Sequence, residues 1–294
     1  MVYLQSFSFP DDGQEFDFIL GEKRKCYTSF YPFKILSRHR FERVDFEPVT
    51  IFYGGNGSGK STALHVIAAY AGISCDAAYN RTSFFEDYLN LCRMETCGEI
   101  PKGSRLIASD DVFDTMLDIR AMNDGMDKKR DEIFNEYLEN KRSHFQLSSM
   151  ADYEQLRRVN SARHKTQSRY TREELGMNVR TYSNGESAFK MFTDRIEENA
   201  VYLLDEPENS LSPARQIELA QYIEDAARFF GCQFILSTHS PFVLSMRGAK
   251  IYDLDSDPVD VKRWTELPNV RAYYDFFKRY EREFEQTDVR GNGR

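Results

Sequence analysis

The stretch Glu47–Thr62, EPVTIFYGGNGSGKST, limits what this chain can fold into more than any other. Val49 to Tyr53 are β-branched and aromatic and read as a strand. The strand runs into a glycine-rich turn, and the turn opens a helix at Lys60, Ser61 and Thr62. Gly54 and Gly59 frame four residues, and Lys60 and Ser61 follow directly, which is the spacing of a P-loop. Without a Cβ at Gly54, Gly55, Gly57 and Gly59, the backbone can bend round a phosphate and aim its N–H groups inward. The helix behind it offers its positive end to the same anion. The reading makes residues Gly54, Gly55, Asn56, Gly57, Ser58, Gly59, Lys60, Ser61 and Thr62 the nucleotide-binding loop. Lys60 would reach the β- and γ-phosphates, and the Ser61 hydroxyl would ligate Mg²⁺.

The 294 residues suffice for one large domain or two modest ones, and the net charge of −8 does not favour a bulk nucleic-acid role. The start lacks a cationic segment followed by an apolar core, and no apolar run reaches the roughly 18 residues that span a bilayer. Cys26, Cys75, Cys92, Cys97 and Cys232 are odd in number and scattered, which suggests neither zinc nor a disulfide framework. A reducing, cytoplasmic setting without membrane insertion is the expectation.

Alternating aromatic and polar positions in residues 1–46 (Phe7, Phe9, Phe16, Phe18, Leu20) predict antiparallel strands and hairpins leading to the P-loop strand. Helix is expected from Lys60 to Ala71. The region from Cys75 to Tyr182 reads as mainly helical, with helices over 83–93, 110–122 and 124–146 and a short strand, Arg105 to Ala108. Arg157, Arg158, Arg163, Lys165, Arg169 and Arg172 form a basic run without an acid. It reads as a solvated face, as a contact with nucleic acid, or as a contact with nucleotide phosphates held by a second subunit. Further on, Ala200 to Leu204 is an apolar strand ending in Asp205-Glu206-Pro207-Glu208. A helix follows from Pro213, and the strand Phe234 to Leu236 ends in Ser237-Thr238-His239-Ser240-Pro241. A last strand near Ile251–Leu254 and an aromatic helix over 270–284 complete the chain. Strand–helix–strand order implies a parallel sheet with ligands at the carboxyl ends of its strands, where each polar cluster falls.

Asp205, projecting from a rigid strand, can hold Mg²⁺ opposite Ser61, and Glu206 can orient and polarise an attacking water. His239 at the neighbouring strand end is suited to a γ-phosphate or water contact. Glu206 and His239 are therefore the candidate catalytic residues.

With these elements in that order, the chain resembles an ATP-binding-cassette (ABC) type ATPase. The resemblance implies an α/β P-loop NTPase with a mixed core sheet, N-terminal antiparallel strands and a helical subdomain. In domain terms, 1–74 and 186–294 would form the core and 75–185 the helical part. Ser183-Asn184-Gly185-Glu186 is similar to the family's signature loop at Ser183, Gly185 and Glu186, and the segment departs from it at Tyr182 and Asn184. Carried over, Ser183, Asn184, Gly185 and Glu186 would touch ATP held by a partner subunit, so that a homodimer sandwiches two nucleotides. Asp205 to Pro213 (DEPENSLSP), with Thr238-His239-Ser240-Pro241, resembles the RecF-like and overcoming-lysogenization-like ATPases of the AAA class. No clear Q-loop glutamine follows the P-loop helix; either Asp110 or Asp111 takes over part of its metal or water contact, or Ser109 or Asp110 simply caps the next helix. Ser212-Pro213 stands where the transporter aspartate would be. The expected activity is Mg²⁺-dependent ATP hydrolysis coupled to dimerisation, with an effector protein or nucleic acid receiving the output in DNA repair or anti-phage defence. The alternatives are a nucleotide-gated binding module with little hydrolysis, and the ATP-binding subunit of a membrane transporter.

Overall fold

Strands buried on both faces carry unbroken apolar runs, and three such strands build the centre of this chain. The computed structural model describes residues 2–24, 26–27, 29–75, 79–142, 153–166, 169, 189–190, 192–209 and 211–285. Strands β3 (Val49–Tyr53) and β8 (Gln233–Ser237) are buried at all five positions, and β7 (Val201–Asp205) at its first four. With β4 (Ser74–Cys75), β6 (Arg105–Ala108), β9 (Lys250–Asp253) and β10 (Asp260–Lys262) they form a seven-stranded sheet in the order β10-β9-β3-β8-β7-β6-β4. All neighbours are parallel except β10, which runs antiparallel to β9. The registers Phe52↔Ser237, Asp205↔Ser237, Ala108↔Asp205 and Tyr53↔Asp253 bring five strand ends to one edge. Helix α2 (Lys60–Tyr70) leaves that edge and packs back on β6, β7 and β8. Helices α6 (Pro213–Phe229) and α7 (Pro241–Leu244) flank β8 in sequence.

A second, three-stranded antiparallel sheet has the order β2-β1-β5, from β1 (Leu4–Ser8), β2 (Arg43–Asp45) and β5 (Arg93–Thr96). Gln233 joins the two sheets. Its Oε1 accepts from Tyr3 N and Leu4 N, both at 2.9 Å, and its Nε2 donates to Leu4 O at 2.9 Å. Phe7, Phe9, Phe41, Phe52 and Tyr252 lie in the core that the sheets share.

Between β1 and β2 the structure departs from the expected hairpins: Asp12–Gly21 is helix α1. Asp11 and Gln14 close a reciprocal capping box, with Gln14 N at 2.8 Å from Asp11 Oδ1 and Asp11 N at 3.1 Å from Gln14 Oε1. Phe16 and Leu20, counted as part of a strand face, are 57% and 74% exposed. Their alternation was never a buried surface. The residue α1 does bury is an acid, Glu15, at 0% exposure.

Two further differences lie in the middle of the chain. Residues 75–112, expected in the helical part, carry β5 and β6 and the short helix α3 (Phe85–Leu91), and group with the sheets. The two helices expected over 110–146 are one, α4 (Ser109–Arg142). Gly125 within it costs about 1 kcal/mol, too little to break a helix that contains no proline. The chain divides into two compact units, residues 1–112 with 184–294, and residues 113–183. In the second unit Tyr137 of α4 and Ala162 of α5 (Tyr153–His164) are buried together, and Arg158 pairs with Glu136 at 3.0 Å. Helix α8 (Pro268–Arg279) lies near the end of the described chain, with Tyr273, Tyr274, Phe276 and Phe277 exposed. No helix among the described residues is long and apolar enough to cross a membrane.

Candidate functional site

Strand β3 delivers its carboxyl end into the glycine turn, and the turn closes on α2. Gly54 takes φ +158°, and a Cβ there would lie 2.6 Å from Ser58 Oγ. Gly59, the N-cap of α2, takes φ +95°. Its missing Cβ leaves room for Ile35 and Leu36 of the preceding segment. Lys60 folds back inside the loop: its Nζ donates to Gly54 O at 2.8 Å and Gly55 O at 3.1 Å. The side chain is only 5% exposed. Burial pushes its pKa down, and the Glu206, Asp205, Asp255 and Glu208 carboxylates pull it back up. Ser58 Oγ is buried without a hydrogen-bond partner. A cleft of about 380 Å³ opens on the loop, with Asn56, Gly57, Gly59, Lys60, Ser61, Thr62 and Glu206 on one side and Lys34, Arg38 and His39 on the other. A buried cation at the N-terminus of a helix is suited to hold polyphosphate.

The two acids after β7 face different partners. Asp205 Oδ1 accepts from Ser61 Oγ at 3.0 Å and from Ser237 Oγ. Glu206 turns the other way. Its Oε1 lies 3.1 Å from His239 Nε2 and 3.8 Å from Lys60 Nζ, and its Oε2 accepts from Asn209 Nδ2 at 3.0 Å. Glu206 sits at φ +47°, a left-handed conformation uncommon for a side chain of this size. Its backbone N–H is held there by Ser237 O at 3.2 Å and Ser237 Oγ at 3.0 Å. Strain of this kind costs about 1–3 kcal/mol and persists where surrounding bonds over-determine it. The hydrogen bond with His239, then those of Asn209 and the charges of His239 and Lys60, outweigh burial and bring the Glu206 pKa down to about 2. Glu208 is the opposite case: burial pushes its carboxyl up despite its hydrogen bonds.

The P-loop, Asp205, Glu206 and His239 thus meet at one edge, as sequence reasoning placed them. Asp110 and Asp111 fall in the first turn of α4, two and three positions after Ala108, the β6 residue paired with Asp205, and their side chains lie outside the described residues. Ser183, Asn184, Gly185 and Glu186 lie outside the described residues altogether. Three contributors were not anticipated. Asp255 grips Gly55 N with both oxygens, at 2.9 and 2.7 Å. Asn269 Nδ2 donates to His239 O at 3.1 Å. Asn209 reaches both Glu206 and Ser109 Oγ. Asn209 lay within the quoted acidic segment and was the one within reach of sequence reasoning.

Among the described residues no group of three or more His, Cys, Asp and Glu side chains could hold a metal by itself. The donor set that is present, a hydroxyl (Ser61) beside a carboxylate (Asp205) next to a polyphosphate cradle, suits a hard cation that keeps waters and takes phosphate oxygens as ligands. The site therefore fits Mg²⁺ brought in with a nucleotide.

Residues 109–245 match the model of the family described as "AAA domain, putative AbiEii toxin, Type IV TA system". The match takes in α4, α5, β7, α6, β8 and α7, hence Asp205, Glu206 and His239, and does not reach the P-loop. No curated protein matches the chain. Among solved structures it is similar to a nucleotide-free ATP-binding cassette from an ABC transporter, at 13% identity over 93% of this chain and 99% of that one, TM-score 0.43. It is also similar to an Smc head domain with an extended coiled coil, bound to the C-terminal domain of ScpA, from Pyrococcus furiosus. There the identity is 11% over 96% of this chain and 100% of that one, with a TM-score of 0.44. Likenesses this distant leave the fold to be read from the strands themselves: a P-loop strand, one strand removed from the acid-bearing strand, beside a small antiparallel sheet. On that geometry the chain has an α/β fold built on a P-loop turn, with a seven-stranded, mainly parallel sheet beside a small antiparallel one, and its residues 109–245 are similar to the matched AAA-domain family.

Proposed function

We propose that the chain hydrolyses ATP with Mg²⁺ at this sheet edge and uses the nucleotide to control its assembly with a second copy of itself. The observation that carries the reading is the divergence of two consecutive acids, Asp205 onto Ser61 at 3.0 Å and Glu206 onto His239 at 3.1 Å, with the Lys60 ammonium 3.8 Å from Glu206. In this reading the P-loop N–H groups and Lys60 bind the β- and γ-phosphates. Ser61 and Asp205 hold Mg²⁺, which neutralises charge on the phosphate oxygens when bound. Glu206, ionised at any pH well above 2, is a poor store for a proton, so its task is to hold and orient the attacking water. His239 fixes the Glu206 carboxylate and presents its imidazole to the γ-phosphate side. Phosphoryl transfer asks for this kind of positioning and charge stabilisation more than for covalent chemistry.

Ser183 to Glu186 would complete the site in trans across a homodimer, and Asp110 or Asp111 would contribute a water or metal contact. The output would pass to an effector protein, or to nucleic acid through the Arg157–Arg172 run, in the cytoplasm. A role in defence accords with the toxin–antitoxin wording of the matched family's description, and RecF-like kinship remains part of the proposal.

The test is phosphate release by the wild type beside Glu206→Gln, with sedimentation of both in ATP. Glu206→Gln should retain ATP, accumulate as dimer and lose about 100- to 1,000-fold in turnover. Equal rates for the two proteins would overturn the hydrolytic reading, and a monomeric, ATP-loaded variant would overturn the dimer.

A further inference from the structure

Glu208 has no part in the chemistry above, yet it is 8% exposed at the edge where that chemistry sits. Its Oε1 accepts three hydrogen bonds, from Thr238 Oγ1 at 2.6 Å, His239 N at 2.7 Å and Ser240 N at 3.2 Å. Its Oε2 is buried without a hydrogen-bond partner. A half-satisfied buried carboxyl costs free energy, so its presence calls for a reason beyond filling space. All three donors come from one turn, and the middle residue of that turn carries the imidazole that meets Glu206. The same turn is tied at its far end, where Ser240 Oγ donates to Gln216 Oε1 at 2.7 Å and caps α7.

We propose that Glu208 is a positioning residue for His239. Its carboxyl clamps the backbone of Thr238–Ser240, and so sets where the imidazole stands relative to Glu206 and the cleft. Glu206 and Glu208 then hold one histidine from two sides, the first by its ring and the second by its backbone. This accounts for the second glutamate of the Asp-Glu-Pro-Glu segment, and it joins that segment to Thr238-His239-Ser240. The kinetic consequence rests on the hydrolytic reading.

A double-mutant cycle tests it, because a residue that acts through His239 has nothing to lose once His239 is gone. Glu208→Ala should lower turnover by about tenfold or more, since small misplacements of a positioned group are costly, while ATP affinity changes by less than about threefold. Glu208→Gln, which keeps an acceptor oxygen, should recover most of the rate. Thr238→Val removes one donor without emptying the core and supplies the same cycle if Glu208→Ala does not fold. In a His239→Ala background each substitution should leave turnover unchanged. The His239 imidazole resonance, assigned by its loss in His239→Ala, should shift in Thr238→Val. Equal losses with and without His239, or an unmoved resonance, would overturn the proposal. Wild-type turnover in His239→Ala would count against the hydrolytic reading instead, and the resonance would still decide the role of Glu208.

Discussion

Two glycines of the P-loop share a positive φ and differ in surroundings, which allows the packing cost of the loop to be isolated. Gly57 has φ +83° and Gly59 φ +95°. Alanine at either position meets the left-handed penalty of about 1–2 kcal/mol. A Cβ on Gly57 meets nothing within 4 Å, whereas one on Gly59 lies 2.8 Å from Leu36 Cδ2 and 2.9 Å from Ile35 Cγ2. Those two side chains cannot simply swing aside. Leu36 is buried in the core, and the segment is pinned to buried Glu15 through Lys34 N at 2.6 Å and Ser37 Oγ at 2.7 Å. Overpacking of this kind costs about 1–3 kcal/mol. Gly57→Ala should therefore lose about 1–2 kcal/mol and Gly59→Ala about 2–5 kcal/mol. Urea unfolding followed by circular dichroism measures both, provided the m-values agree. Losses that match within about 0.5 kcal/mol, or a larger loss for Gly57→Ala, would refute the packing account.

Gln233→Ala should destabilise the chain by about 3 kcal/mol, because it strands Tyr3 N, Leu4 N and Leu4 O in the core; thermal unfolding would show it, and a change under ~0.5 kcal/mol would contradict the bridge between sheets. Acid dependence follows from Glu206. Its carboxyl is depressed from 4.5 to about 2 in the folded chain, so it contributes stability above its ordinary pKa that is lost as pH falls from about 4.5 through 2, on the order of 3 kcal/mol in full. His239→Ala removes the largest cause of that depression and should raise the midpoint towards 4.5 in a carboxyl ¹³C titration. An unchanged midpoint would mean that His239 does not hold the acid.

The motif-bearing ends of β3, β7 and β8 were legible because each is local. A glycine spacing, or an acid directly after four apolar residues, states its own conformation and chemistry within a few positions. Helix α1 was misread because alternation of Phe16, Phe18 and Leu20 is a weak signal where Phe16 and Leu20 are exposed and only Phe18 packs on the core, while the Asp11–Gln14 box that decides the matter is set by two residues. Strand β5 was missed because its four residues include two charges and its partner β1 lies at the opposite end of the core unit's first segment.

By itself the amino-acid sequence determined a glycine-rich turn of P-loop spacing between strand and helix, a parallel sheet, and the residue types gathered at its edge. Only the tertiary structure decided which of them touch. Gly55 meets Asp255 across 200 positions, Gln233 meets Leu4 across 229, and Glu208 meets His239 across 31. Such pairs depend on the order in which the seven strands lie side by side and on how the second sheet packs against them. That order is set by how the apolar faces pack as a whole, and a hydrogen bond between distant residues becomes available only once the packing has brought them together.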